Sequence, residues 1–212
     1  DGKKSSWAQG TPSATNISQA ANNAKCWATN LSGNHTSFEL SYLNSPVFQT
    51  NSWNGEAMIF SCYIKAVSKR MHLEYSVDGE NFIKLGQYGE GINWYDDNVR
   101  QVWSHTFGGW KKCAYRIPNA LFNASDKIKF RFVFDASASN LTQEGFAIDL
   151  AEVYKEGQDY ELVEITSPAS GCGFNSTTSL VVKVANHSTT IGSSVPVSFR
   201  HNGGLAVTEN IA

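Results

Sequence analysis

The sequence predicts an all-β protein in two modules, the second with the strand spacing of part of an immunoglobulin-like β-sandwich. Three observations carry that expectation. Residues 127–134 alternate, with Ile128, Phe130, Phe132 and Phe134 on one side and Lys127, Lys129, Arg131 and Val133 on the other, the period of a half-buried strand. Only 17% of the 212 residues are charged, while Asn, Ser, Thr and Gly are plentiful, which suits short strands and tight turns better than long amphipathic helices. A polar linker at residues 155–160 separates this pattern from a second set of strand signals. The chain therefore divides into a first domain, 1–156, and a second, 157–212, with the boundary near Gly157.

Along the chain, Trp7 opens an edge strand that passes into a polar loop after Thr11-Pro12. Cys26-Trp-Ala-Thr-Asn-Leu31 is a short strand ended by the turn at Ser32-Gly33-Asn34. Phe38, Leu40 and Tyr42 then alternate with Glu39 and Ser41, which predicts the apolar set inward and Glu39 outward, and Leu43-Asn-Ser-Pro46 closes that strand. Residues 57–64 are the most apolar stretch to that point. Residues 72–77 and 81–85 make a hairpin through Asp78-Gly79. Residues 86–109 form a long loop carrying Tyr88, Trp94, Tyr95, Asp96, Asp97, Trp103, His105 and Phe107. A loop of this length is either functional or folded on its own aromatics.

Residues 110–118 are another strand, and Phe146, Ile148 and Leu150 mark the last strand of the first domain. Asp149 sits inside it, although aspartate is depleted in strands, and so requires an explanation. In the second domain, residues 160–165, 179–186, 195–199 and 206–208 read as strands, with turns at Ser167-Pro-Ala-Ser-Gly-Cys172 and His201-Asn-Gly-Gly204. An immunoglobulin-like sandwich needs about seven strands, so the sequence reads as stopping inside that domain.

The totals exclude some function classes. The net charge of −2 supplies no basic field for nucleic acid or an anionic membrane. No apolar run approaches the ~20 residues of a membrane-crossing helix. The first residues lack the apolar core of a signal peptide, so a signal was removed or the chain is a piece of a longer one. The composition reads as extracellular, secreted or displayed at a cell surface. Asn-x-Ser/Thr sequons at Asn16, Asn30, Asn34, Asn123, Asn140, Asn175 and Asn186 matter only in a glycosylating host. Cys26, Cys62, Cys113 and Cys172 lack zinc-ligand spacing. Cys62 and Cys113 each lie on the apolar side of a strand; they bridge if those strands are neighbours, or stay as buried thiols.

The first domain resembles the MAM-like jelly rolls of secreted bacterial surface proteins, the group with the cleaved-adhesin and choice-of-anchor domains. The resemblance rests on Trp7-Ala-Gln-Gly-Thr-Pro12, Cys26-Trp-Ala-Thr-Asn-Leu31 with Gly33, Glu39-Leu-Ser-Tyr-Leu-Asn-Ser-Pro46, Leu73-Glu-Tyr-Ser-Val-Asp-Gly79, Asn93-Trp-Tyr95, Gly109-Trp110, Phe130-Arg-Phe-Val-Phe134 and Gly145-Phe-Ala-Ile-Asp149. The second domain resembles the Ig-like repeat that often follows, through Ile165-Thr-Ser-Pro168, Ser170-Gly-Cys-Gly173, Val181-Val-Lys-Val-Ala-Asn186 and Asn202-Gly-Gly204. The pairing is similar to large adhesins of gliding bacteria. What the resemblance implies about metal is a structural calcium held by Glu39 and Asp149, with carbonyls and waters completing its six to eight oxygens. The alternative for Asp149 is a carboxylate that accepts backbone N–H groups at a strand end.

Enzyme motifs are absent. His35, His72, His105, His187 and His201 are scattered, and neither Gly-x-Ser-x-Gly nor His-Glu-x-x-His occurs. The expected function is a non-catalytic adhesion or binding module of a large multidomain surface or secreted protein. Its partners would be a surface glycan or protein and the neighbouring domains of the same chain. The alternatives are a carbohydrate-binding module, or an accessory domain of a secreted peptidase or other hydrolase. Trp94, Tyr95 and Trp103 are the candidate ligand-binding residues, as rings that stack on sugars; the competing reading has Trp94, Trp103 and Trp110 packing the loop onto the sheet.

Overall fold

The computed structural model describes residues 2–22, 25–53, 57–123, 125–156, 160–168, 179–186, 195–200 and 204–211. Cys172, the sequon at Asn175, His187, His201, Gly157 and most of the turns expected at 167–172 and 201–204 lie outside them. The chain divides into two compact units, Asp1–Lys155 and Glu156–Ala212.

In chain order the strands of the first unit are β1 (Gly2–Lys3), β2 (Trp7–Gly10), β3 (Cys26–Thr29), β4 (Leu40–Gln49), β5 (Met58–Ala66), β6 (Arg70–Ser76), β7 (Ile83–Lys84), β8 (Lys111–Ile117), β9 (Lys127–Asp135) and β10 (Phe146–Lys155). A single helical turn, α1 (Ala120–Asn123), lies between β8 and β9. The strands form two five-stranded antiparallel sheets, ordered β1-β4-β9-β6-β7 and β2-β3-β10-β5-β8. In each sheet a late strand returns to lie between two early ones, β9 between β4 and β6, and β10 between β3 and β5. These interlocked Greek keys are the topology of a jelly roll.

The alternation in β9 does what the sequence predicts: Ile128, Phe130, Phe132 and Phe134 are buried. They meet the inward set of β5 and β10, and the Phe60 ring lies 5.0 Å from that of Phe130 across the two sheets. Aromatic pairs of this kind add about 0.5–1.5 kcal/mol beyond their burial. A smaller apolar cluster covers the outer face of the second sheet. There Ile17, Cys26, Ala28 and Ala147 pack together, with Ala20, Leu31, Val67 and Trp110 at its margin. Residues 14–22 run across that face as bends. Two acidic side chains pin this segment. Glu144 accepts the N–H groups of Asn16 and Ile17, and Asp149 those of Ala21 and Asn22.

One strand departs from its predicted register. Phe38 is in a turn with φ 54° and 46% exposed, whereas Glu39 and Ser41 are fully buried. The inward and outward sets of residues 38–42 are thus reversed, because Ser41 is paired with Phe134 and shares its inner face. Pro46 does not close the strand either. A register shift between Asn44 and Val47 lets β4 continue to Gln49. A bulge is one of the few places a sheet admits proline.

The described residues of the second unit form two antiparallel ladders. One pairs β11 (Tyr160–Ser167) with β12 (Val181–Asn186), and the other pairs β13 (Val195–Phe199) with β14 (Val207–Ile211). Among the described residues both units are all-β apart from α1. Among the described residues no helix is long and apolar enough to cross a membrane.

Candidate binding cleft

A cleft of about 450 Å3 opens between the two sheets where β3 and β10 face β4 and β9. That volume falls within the range of small-molecule sites. The second sheet contributes Gln9, Trp27, Ile148, Leu150 and Ala151, and the first contributes Leu43, Ser45, Pro46, Phe48, Phe130 and Phe132. Trp27 is the register partner of both Gln9 and Ile148, so these three side chains lie on one face of the sheet. Ile148 is buried in the core, but Trp27 is 38% exposed. The cleft is where the core runs out to solvent and the indole borders it.

Both sheets are irregular at this place. On β4 the register shift falls between Asn44 and Val47, and on β10 between Asp149 and Glu152. The residues skipped by the two ladders, Ser45 and Pro46 on one side and Leu150 and Ala151 on the other, all line the cleft. Leu150 is held at φ 49°, a left-handed conformation that costs a non-glycine residue of order 1–3 kcal/mol. Bulges aim groups away from the ladder and concentrate beside functional sites. Here they bring the skipped residues of two strands to the rim of a cleft with a phenylalanine floor. The Ser45 hydroxyl accepts the Phe130 N–H and donates to the Pro46 carbonyl, which fixes the first bulge. The second is held by the Asp149 carboxylate, which accepts the N–H of Leu150. The charged lining residues are Lys25 against Asp149 and Glu152. The Glu152 carboxylate also accepts a bond from the Ser61 hydroxyl.

The sequence-predicted ligand residues are elsewhere. Trp94, Tyr95 and Trp103 are all less than 5% exposed, which corrects the expectation that their rings stack on sugars. Their rings interlock at centroid separations of 4.7–5.4 Å. Their polar atoms are satisfied inside the protein: Trp94 and Tyr95 both donate to the Leu85 carbonyl, and Trp103 donates to that of Asn93. Burial pushes the Tyr95 phenol far above its ordinary range. The long loop is therefore folded on its own aromatics and laid against the sheet. Asp96 and Asp97 organise its turns. Asp96 accepts the N–H groups of Ser104 and His105, and Asp97 those of Val99 and Arg100.

Glu39 and Asp149 do not fit a calcium ion. The Glu39 carboxylate is wholly buried and surrounded by donors: the N–H and hydroxyl of Ser6, the N–H of Thr36 and the hydroxyl of Ser41, at 2.6–3.1 Å. The Thr36 hydroxyl is a further neighbour at 2.9 Å. Asp149 accepts three backbone N–H groups, those of Ala21, Asn22 and Leu150. Calcium requires oxygen lone pairs where these positions present hydrogens, and the two carboxylates share no partner. Among the described residues no group of three or more His, Cys, Asp or Glu side chains could hold a metal.

The described histidines are dispersed. His35 is buried against Phe134, His72 bonds Glu74, and His105 meets Asp96. Sequence reasoning missed the cleft because its residues come from positions 9 to 152 and no local pattern joins them. The available signal was Pro46 within a strand-like stretch, which marks a bulge as well as an end.

No family model and no curated protein matches this sequence. Among solved structures, a carbohydrate-binding module, TmCBM61, in complex with β-1,4-galactotriose is similar to this chain with a TM-score of 0.44 and 14% identity. The similarity covers 74% of this chain and 86% of that module.

Proposed function

We propose that the jelly roll is a non-catalytic binding module that holds a neutral glycan segment in the cleft beside Trp27. The observation that carries this reading is the convergence of one exposed indole with two bulges, one from each sheet. A pyranose ring presents apolar C–H faces and a rim of hydroxyls that both donate and accept. The cleft offers the matching set: the Trp27 face and the phenylalanine floor for the C–H faces, and the polar side chains of Gln9 and Ser45 for the hydroxyls. Lys25 against Asp149 and Glu152 leaves one surplus negative charge in the lining, which disfavours an anionic ligand. In this reading the chain belongs to a secreted or cell-surface protein, where glycan binding serves adhesion, and the second unit is the start of an Ig-like repeat.

The test is a screen of neutral oligosaccharides against the whole chain, followed by titration of the best binder with Trp27→Ala. Removing the indole should weaken binding by at least about tenfold, or 1.4 kcal/mol, without moving the thermal midpoint by more than a degree or two. A Trp27→Ala variant that binds as well as the parent, or a parent that binds no neutral glycan, would sink the proposal.

A further inference from the structure

A second concavity, of about 360 Å3, lies among the turn before β6, the loop after β7 and the turn after β9. It shares no lining residue with the cleft. Its charged lining comprises Lys69, Arg70 and Arg100 against Asp97 and Asp135. Both carboxylates are already engaged. Asp97 accepts the N–H groups of Val99 and Arg100 and pairs with the Arg100 guanidinium at 3.1 Å, and Asp135 accepts the N–H and hydroxyl of Ser137. Arg70 stands opposite Asp135 in the β6–β9 register, and beyond that backbone pairing its guanidinium makes no ion pair or side-chain hydrogen bond among the described residues. Lys69 reaches only the Ser139 hydroxyl, at 3.2 Å. Lys69 is also held at φ 79°, a conformation glycine adopts far more readily. A lysine keeps that position at a conformational cost, and its charge is directed to the same concavity as the half-buried Arg70.

We infer that this concavity binds a monoanionic sugar, a ring bearing a carboxylate or a sulfate ester, with Arg70 and Lys69 holding the oxyanion. Three cations against two carboxylates leave one positive charge, which matches a monoanion. A phosphate dianion would set surplus negative charge beside Asp97 and Asp135. The guanidinium presents parallel N–H groups that suit two oxygens of one oxyanion. The hydroxyls of Ser104 and Ser139 lie in the same lining and suit the ring hydroxyls of a sugar.

The experiment is a chemical-shift titration of the whole chain with D-galacturonate, 6-sulfated galactose and neutral galactose, read at the amides of Ala136, Ala138 and Ser139. At least one anionic sugar should shift these amides, and which one does so identifies the oxyanion. Neutral galactose should leave them in place, and raising the ionic strength from about 0.02 to 0.5 M should weaken binding several-fold. Arg70→Gln and Lys69→Gly should each lower affinity by about tenfold. Lys69→Gly should keep or raise the thermal midpoint, because glycine suits the backbone there. Trp27→Ala should leave this binding unchanged, which separates it from the cleft. Unaltered affinity in both charge variants overturns the inference, as does equal binding of neutral galactose or of inorganic sulfate.

Discussion

Cys62 and Cys113 stand directly opposite each other on β5 and β8, both without exposed surface and both as free thiols. Burial raises the Cys113 thiol to about 12 and pushes that of Cys62 well above its ordinary value, with the neighbouring Cys113 adding to the shift. The thiolate is the reactive form. At pH 8 both cysteines should therefore resist a thiol-labelling reagent in the folded protein and react once denaturant is added. Peptide mapping by mass spectrometry reads this directly, and rapid native labelling of either residue would contradict the buried pair.

Tyr95 ties the long loop to two strands. Its hydroxyl donates to the Leu85 carbonyl at 2.8 Å and accepts the Leu73 N–H at 3.3 Å. Tyr95→Phe keeps the ring packing and leaves those backbone groups short of a partner, a loss of about 1–3 kcal/mol. Urea unfolding should show the lower midpoint with an unchanged slope, and glycan binding at the cleft should not alter.

Glu144 gives the fold an acid-sensitive contact. Burial alone would raise its pKa, but the hydrogen bonds from Ile17 and Asn16 outweigh that and hold it below the ordinary 4.5. A carboxylate whose folded pKa is depressed contributes fully above its unfolded value. That contribution is lost as pH falls through the folded value. Glu144→Gln should therefore be the less stable protein at pH 7, by about 1–3 kcal/mol, and the gap should narrow below pH 4. A gap that is constant from pH 7 to pH 3 would remove Glu144 from this role.

The donor sets around Glu39 and Asp149 predict indifference to calcium. Thermal midpoints in millimolar calcium and in chelator should agree within about a degree. Glu39→Ala should destabilise severely in both, since it strands several buried donors. A calcium-dependent rise of several degrees would show that the carboxylates rearrange around the ion.

The sandwich was legible wherever one strand face is apolar. β9 and the hairpin around Asp78-Gly79 follow from period-two alternation and turn chemistry, because burial on one side imposes that pattern on contiguous residues, whereas in β10 the pattern holds for Phe146 and Ile148 and breaks at the bulged Leu150. Reasoning from alternation reversed residues 38–42, since it treats carboxylates as outward, whereas Glu39 is buried among hydroxyls supplied from Ser6 and Thr36, far away or beyond a turn. The explanation of Asp149 was within reach as an acceptor of backbone N–H groups, although the loop it holds, residues 21–22, is distant in sequence. The aromatic loop was ambiguous, because the same rings serve a ligand or a core and only the fold decides which side of them is covered. The cleft was invisible. It depends on two bulges meeting across a sandwich, and a bulge leaves a trace in sequence only where, as at Pro46, it admits a residue that sheets otherwise refuse.

The margins of the two sheets carry a consequence for the protein at high concentration. An open strand edge is a template on which another chain can add a strand. The outermost strands of the first sheet, β1 and β7, are two residues long. On the second sheet the seven-residue β8 is met along its free side by the long loop, where Ile92 and Ala114 exchange both backbone hydrogen bonds. Lys111, Lys112 and Arg116 add exposed positive charge to the same strand. The loop that hides its tryptophans thus also works as a guard rail, and copies of this jelly roll brought side by side should resist zipping together along β8 and along the two-residue margins of the first sheet.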